Sequence, residues 1–420
     1  MSADVHRTIE AIWRMESAKL IAGIARMVRD VGVAEEVAQD ALVTALEKWP
    51  HTGIPDNPAA WLTRVARMRA IDRIRRNDRL QRLHPQILRD LDAVQHDWID
   101  APQEEVQDDL LRLMFIACHP VLSPDARVAL TLRLLGGLST EEIARAFLVP
   151  VKTVAQRIVR AKRTLYEARV PFELPPAAQR AARLSSVLEA VYLIFNEGYS
   201  PTAGQTWIRP QLCEDALRLG RILAELTPQE PEVHGLVALM ELQASRLRAR
   251  TGPSGEPVLL LEQDRGRWDH LLIRRGLTAL RKAERLGEPL GPYTIQAAIA
   301  SVHAQAHTPQ ETDWQRILAL YDALVALMPS PIVELNRAIA VSMAFGPQAG
   351  LDLIDAIAAD PALRLYHLLP SVRGDLLVKL GRYDAALTEL ERALSMTQNE
   401  GERLLLSRRI SALKGNHTWN

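Results

Sequence analysis

"NPAAWLTRVARMRAIDRIRRNDRLQR", residues 57–82, is the stretch from which the rest of the chain is read. Asn57 followed by Pro58 pairs a helix-capping side chain with a residue pre-set for the first helical turn. Leu62, Ala66, Ala70 and Ile74 then form an apolar ridge at helical spacing, with Trp61, Val65 and Ile71 beside it. Around that ridge stand Arg64, Arg67, Arg69, Arg73, Arg75, Arg76, Arg79 and Arg82, against only Asp72 and Asp78. Such charge can simply keep a surface helix soluble. Here, however, the arginines occupy both flanks of the ridge, so at least one flank needs a partner, and a basic rod suits a polyanion.

Working upstream, the turn from Pro50 to Asp56 is preceded by "AEEVAQDALVTALEKW", residues 34–49, which spaces Val37, Ala38, Ala41, Leu42, Ala45 and Trp49 for burial. Its other side offers Glu36, Gln39, Asp40, Val43 and Glu47, an acidic strip interrupted by one exposed valine. Before it, residues 4–29 read as a helix burying Ile9, Ile12, Trp13, Leu20, Ile24 and Met27, broken by Val31 and Gly32. The whole chain of 420 residues is rich in Ala, Leu and Arg with few aromatics and little alternation, which predicts an all-α fold with essentially no sheet. Its 51 basic and 51 acidic side chains cancel overall but are segregated locally. Cys118 and Cys213, apolar in setting and far apart, make neither a disulfide framework nor a zinc site. No phosphate loop, catalytic triad or metal-ligand spacing occurs, so no catalytic, cofactor or metal residue is assigned and the chain is not expected to be an enzyme. Without a signal peptide or roughly 18–20 consecutive apolar residues, it is expected to be cytoplasmic and to have no membrane partner.

Downstream, Asp90, Asp92, Asp97, Asp100, Glu104, Glu105, Asp108 and Asp109 form an acidic connector, read as a solvated linker or, alternatively, as a lid over a basic helix. Two helices follow, one ending near Pro120 and one opened by Ser123 and Pro124; Cys118 and His119 between them read as core and helix end. Ser139 and Glu142 form a capping box for a short helix with Ile143, Ala144 and Phe147 inside. After Leu148, Val149 and Pro150, the residues Val154, Ile158, Ala161 and Leu165 make the buried ridge of a second helix. Its other faces present Lys152, Thr153, Gln156, Arg157, Arg160 and Arg163, a mixture suited to base edges and phosphates in a major groove.

The runs at residues 34–49 and 57–79, joined by a short proline-containing loop, resemble region 2 of bacterial sigma factors of the extracytoplasmic-function group. "LSTEEIARAFLVPVKTVAQRIVRAKRTL", residues 138–165, resembles the helix-turn-helix of sigma region 4. The resemblance implies an RNA polymerase sigma factor directing promoter-specific initiation, with core RNA polymerase and promoter DNA as partners. Glu36, Gln39, Asp40, Val43 and Glu47 would dock on a coiled coil of the large polymerase subunit. Asp56, Asn57 and Trp61 would lie near the pocket for an unstacked base of the minus-ten element, with Arg64, Arg67, Arg73, Arg75, Arg76 and Arg79 on the DNA backbone. Lys152, Thr153, Gln156, Arg157 and Arg160 would read the minus-thirty-five element, with Arg163 on phosphate. The family usually has glycine where Leu148 stands, which implies strain or an altered turn there. The expected organisation is region 2 over 1–82, an acidic linker over 83–105, region 4 over 106–170 and a helical domain over 178–420.

In that last part, "HLLPSVRGDLLVKLGRYDAALTELERAL", residues 367–394, follows the tetratricopeptide pattern at Gly374, Leu377, Leu380, Gly381, Tyr383, Ala386, Leu390 and Ala393. Ala338, Val341, Gly350, Ile354 and Ile357 take equivalent places about 36 residues earlier. Helix-pair texture extends through Leu217–Leu226, Val233–Arg250, Trp268–Leu286 and Ile295–Ala306. "NEGYSPTAG", residues 196–204, reads as a capped helix turn rather than a ligand-contacting loop, and His270, His303 and His307 as structural or surface groups. The resemblance to sigma factors with a tetratricopeptide-like extension implies a regulatory or protein-interaction role, with a regulatory protein or small ligand as partner. The alternative is a one-component helix-turn-helix regulator whose helical domain senses a ligand, or a repeat scaffold. Neither gives the acidic strip and the basic helix a joint role.

Overall fold

The computed structural model describes residues 2–81, 103–201, 203–204, 206–253 and 255–417. They are almost wholly helical and divide into two compact units, residues 1–193 and 194–420.

In the first unit, α1 (Ser2–Val28) ends where Arg29 adopts a positive φ of 54°. Asp30 then caps α2 (Val31–Thr52) by accepting from the Val33 N–H at 2.9 Å. Val31 and Gly32, expected to be the break, therefore form the first turn of α2, because the Asp30 carboxylate satisfies the orphan donors one residue earlier. α2 also carries Pro50 within its last turns and closes at Gly53. Asn57 caps α3 (Pro58–Gln81) as expected, accepting from the Ala60 N–H at 3.0 Å. The ridge residues Leu62, Ala66 and Ala70 are buried, as are Ala34, Ala38, Ala41 and Ala45 of α2. These small side chains let α1, α2 and α3 approach closely. Trp61 meets the buried Trp49 edge to face, with ring centroids 5.2 Å apart.

The same unit continues with α4 (Gln103–Ala117), α5 (Pro124–Leu134), α6 (Thr140–Phe147) and α7 (Val151–Glu167). Most of the acidic connector lies outside the described residues. Its carboxyl end is helical rather than extended, and Glu105 and Asp109 reach Arg26 of α1 at 2.7 and 3.4 Å. Cys118 is buried against Thr131, its Sγ 3.2 Å from the hydroxyl, and burial pushes the thiol up to about 11. His119 is pushed down to about 4, chiefly by burial and then by the Arg183 charge, so it is a neutral helix-end group. α8 (Ala177–Tyr199) runs through the division between the two units.

The second unit contains α9 (Pro210–Leu226), α10 (Pro231–Ala244), α11 (His270–Leu286), α12 (Pro292–Gln305), α13 (Trp314–Leu327), α14 (Pro331–Phe345), α15 (Pro347–Ile357), α16 (Leu368–Lys379), α17 (Tyr383–Met396) and α18 (Glu400–His417). Among the described residues, β structure is limited to a parallel pair of two-residue strands, β1 (Ala203–Gly204) and β2 (Gln398–Asn399), and an isolated antiparallel bridge between Thr251 and Pro257. Consecutive helices pack as pairs. α14 meets α15 at Gly350, where a Cβ would lie 2.8 Å from the Ala338 carbonyl oxygen. α16 meets α17 at Gly374, where a Cβ would lie 2.9 Å from the Leu390 side chain. Leu335, Leu351, Ile354, Leu376, Leu377, Leu390 and Leu406 fill the common core of these pairs. No helix among the described residues is long and apolar enough to cross a membrane, and none of their His, Cys, Asp and Glu side chains gather into a group that could hold a metal ion.

Candidate nucleic-acid interface

The acidic strip and the basic helix meet directly. Arg69 of α3 pairs with Asp40 at 3.0 Å and donates to the Thr44 hydroxyl at 2.8 Å, while Arg73 pairs with Glu36 at 2.8 Å. The partner required on one flank of the arginine ridge is thus α2 itself, and Arg73 is committed to a carboxylate in this state. Glu36, Asp40 and Glu47 remain exposed and Val43 is 50% exposed, so one polar strip with an apolar centre faces outward; Gln39 is half-buried and donates to Glu35. On α3, Arg64, Arg75 and Arg76 are exposed, Asp56 and Asn57 are exposed ahead of it, and Trp61 is half-buried. Arg67 must be removed from the exposed set: it is 8% exposed, on the inward side of α3, and burial lowers the pKa of its guanidinium. The side chain of Arg79 lies outside the described residues.

The second module is a helix-turn-helix built locally. Ser139 accepts from the Glu142 N–H at 3.1 Å while the Glu142 carboxylate accepts from the Ser139 N–H at 2.8 Å, the reciprocal cap expected from sequence. Burial works against the ionised form of Glu142, but the Ser139 N–H and the nearby Arg14 outweigh it and hold the carboxyl below its ordinary range. The turn is made by Leu148 in the left-handed region, φ 52° and ψ 38°. Leucine therefore adopts the conformation that glycine would take more readily. Leu148→Gly is expected to stabilise the chain by about 0.5–1 kcal/mol, because the left-handed penalty of roughly 1–2 kcal/mol exceeds the entropy cost of glycine. Equilibrium denaturation checks this.

On α7, Val154, Ile158, Ala161 and Leu165 are buried. Lys152, Gln156 and Arg160 are exposed, and Thr153 and Arg157 are half-buried. Arg157 pairs with Asp125 of α5 at 3.0 Å, and the exposed Arg163 with Glu167 at 2.7 Å. Lys152, Gln156 and Arg160 thus lie on one exposed face at the amino-terminal half of the helix, the geometry a major groove accepts.

A feature that the sequence did not reveal is a set of ion pairs between the two modules. Glu35, 2% exposed on α2, pairs with Arg133 of α5 at 2.6 Å and also with Lys162 of α7. Arg14 of α1 pairs with Glu142 at 2.5 Å. Gly137 lets the chain pass close to α1, since a Cβ there would lie 2.8 Å from the Ser17 hydroxyl.

Residues 14–80 match the family described as sigma-70 region 2, and residues 112–165 match sigma-70, region 4. The first unit carries sigma-70 region 2 and region 4 domains. Residues 183–284 match a further family of unknown function. An uncharacterized protein of Rhizobium meliloti is 45% identical over 379 residues, covering 90% of this chain and 89% of its own length. A probable ECF RNA polymerase sigma factor, SigI of Mycobacterium tuberculosis, is 30% identical over 181 residues, which is 42% of this chain and 60% of that protein. The RNA polymerase sigma-H factor of Pseudomonas aeruginosa is 29% identical over 157 residues, covering 36% of this chain and 81% of its own. No solved structure matches.

Proposed function

We infer that this chain is an RNA polymerase sigma factor of the extracytoplasmic-function group. It binds core polymerase and directs initiation at promoters, working in the cytoplasm and without catalytic chemistry of its own. The observation that carries this reading is the pairing, in order and in one unit, of sigma-70 regions 2 and 4, each presenting its polar face. Core polymerase docks on the strip of Glu36, Asp40, Val43 and Glu47, with Gln39 at its edge. The minus-ten strand lies along Asp56, Asn57, Trp61, Arg64, Arg75, Arg76 and Arg79, and Arg73 joins it once Glu36 is taken by polymerase. The minus-thirty-five element is read by Lys152, Thr153, Gln156, Arg157 and Arg160, with Arg163 on phosphate. The second unit is a tetratricopeptide-like regulatory domain; its support is the small-residue joints at Gly350 and Gly374, one in each of two successive helix pairs.

Transcription of a genomic promoter library by core polymerase, with and without the chain, tests this reading through new start sites. Gln156→Ala is expected to lose about 1–3 kcal/mol of discrimination at one upstream base, whereas Arg163→Ala weakens binding evenly and lessens its salt dependence. Failure of the intact chain to join core polymerase would overturn the proposal.

A further inference from the structure

In the second unit three guanidinium groups are threaded between three aromatic rings. Arg250 Cζ stands 3.9 Å from the centroid of the Tyr199 ring and 5.1 Å from that of Trp207. Arg246 Cζ stands 5.8 Å from the same Tyr199 ring and 5.9 Å from Trp268. Arg265 Cζ stands 4.9 Å from Trp268. The order is therefore Trp207, Arg250, Tyr199, Arg246, Trp268, Arg265, drawn from the end of α8, the segment that precedes α9, and the stretch between α10 and α11.

The charges in this ladder are not balanced. Arg265 is held by the backbone oxygens of His303, at 2.8 Å, and Ala306, at 2.5 Å, and Glu311 lies near enough to favour its charge. Arg250 donates to the Tyr199 carbonyl at 3.0 Å. Arg246 is 8% exposed, and its guanidinium makes no hydrogen bond or ion pair with any described residue, its Nε being buried without an acceptor. Burial lowers its pKa, Arg250 adds repulsion, and the one group that favours its charge is the Tyr199 phenol. Around it, the N–H groups of Trp207 Nε1, Arg246 Nε, Arg250 Nε, Trp268 Nε1 and Arg265 Nε are all buried without an acceptor. His303 beside them is pushed down to about 3, first by burial and then by Arg246 and Arg265, and brings no compensating charge. Cation–π contact lessens the cost of a buried guanidinium without cancelling its charge. A neutral partner would satisfy the N–H groups yet leave the cations unpaired, whereas an oxyanion does both.

We propose that Arg246, Arg250 and Arg265, with the indole N–H groups of Trp207 and Trp268, form a binding site for a small oxyanion, a carboxylate or a phosphate. All five residues fall within the segment matched by the family of unknown function, so the site gives that segment a ligand-binding role.

The test is thermal unfolding of the full chain at constant ionic strength, with sodium chloride replaced stepwise by inorganic phosphate or by acetate. A saturable rise of about 3–8 °C in the transition of the second unit is expected with at least one of the two, and which one distinguishes a tetrahedral from a planar oxyanion. Arg246→Met is expected to abolish the rise, and Arg248→Met, which removes the same charge from an exposed position, to retain it. Arg250→Met serves as the second site variant should Arg246→Met not fold, with the same loss expected. Equal unfolding temperatures in all three salts, or an equal rise in Arg246→Met and Arg248→Met, would overturn the proposal.

Discussion

Glu35→Ala is expected to destabilise the first unit by about 3–5 kcal/mol, because it leaves two largely buried cations of the second module side by side without the carboxylate that α2 supplies. Glu35 sits at 2% exposure and is shared by Arg133 and Lys162, so the loss greatly exceeds the 0–1 kcal/mol typical of an exposed pair such as Arg163 with Glu167. Denaturation followed by tryptophan fluorescence, with Arg163→Ala as the reference, measures the difference; a loss below about 1 kcal/mol for Glu35→Ala would mean that the modules are held by apolar packing instead. A functional consequence follows from size. A compact unit of this length is roughly 40 Å across. Promoter elements named for positions ten and thirty-five lie about 25 base pairs apart, roughly 85 Å at 3.4 Å per pair. Both elements can be engaged only when the modules part, and the Glu35 and Arg14 pairs must then break. At limiting core polymerase, Glu35→Gln is accordingly expected to raise initiation even as it lowers stability.

What could be read in advance was whatever is encoded within a few residues. The Asn57 cap, the Ser139 and Glu142 capping box and the ridges Leu62–Ala66–Ala70 and Val154–Ile158–Ala161–Leu165 are all set by spacings of three or four, and the structure reproduces them. The break after α1 falls two residues ahead of the Val-Gly pair, because that pair is a weaker stop signal than the Asp30 carboxylate is a start signal. Nothing in a run of arginines marks Arg67 as the one that tertiary packing covers. The partners of Glu35 lie about a hundred residues downstream, beyond any periodicity. The arginine ladder is the most hidden: in sequence Tyr199 belongs to a simple helix end and His303 is one of several scattered histidines, and only the folding of α8, α10 and α12 places them beside Arg246 and Arg265.

Gly235→Ala is expected to cost about 3–5 kcal/mol in the second unit. A Cβ at Gly235 in α10 would lie 2.4 Å from the Thr294 hydroxyl, 2.8 Å from its backbone nitrogen and 3.0 Å from its Cα, all in the first turn of α12. Backbone cannot swing aside as a flexible side chain would, so the helices must separate. That separation breaks a second interaction. Glu232, one turn before Gly235, caps α12 from outside by accepting from the N–H groups of Tyr293 and Thr294 at 2.8 and 3.1 Å and from the Thr294 hydroxyl at 2.6 Å. Overpacking of about 1–3 kcal/mol therefore adds to the loss of charge-assisted hydrogen bonds worth roughly 1.5–3 kcal/mol. Gly415→Ala is the matched control, since no atom lies within 4 Å of its Cβ position in α18, and helix propensity alone should make it neutral or stabilising. Equal effects of the two substitutions in chemical denaturation would refute the close helix contact. Because Arg246 follows directly on α10, a shift of that helix also moves the central cation of the arginine ladder, so Gly235→Ala should weaken any oxyanion-dependent stabilisation in the same measurement.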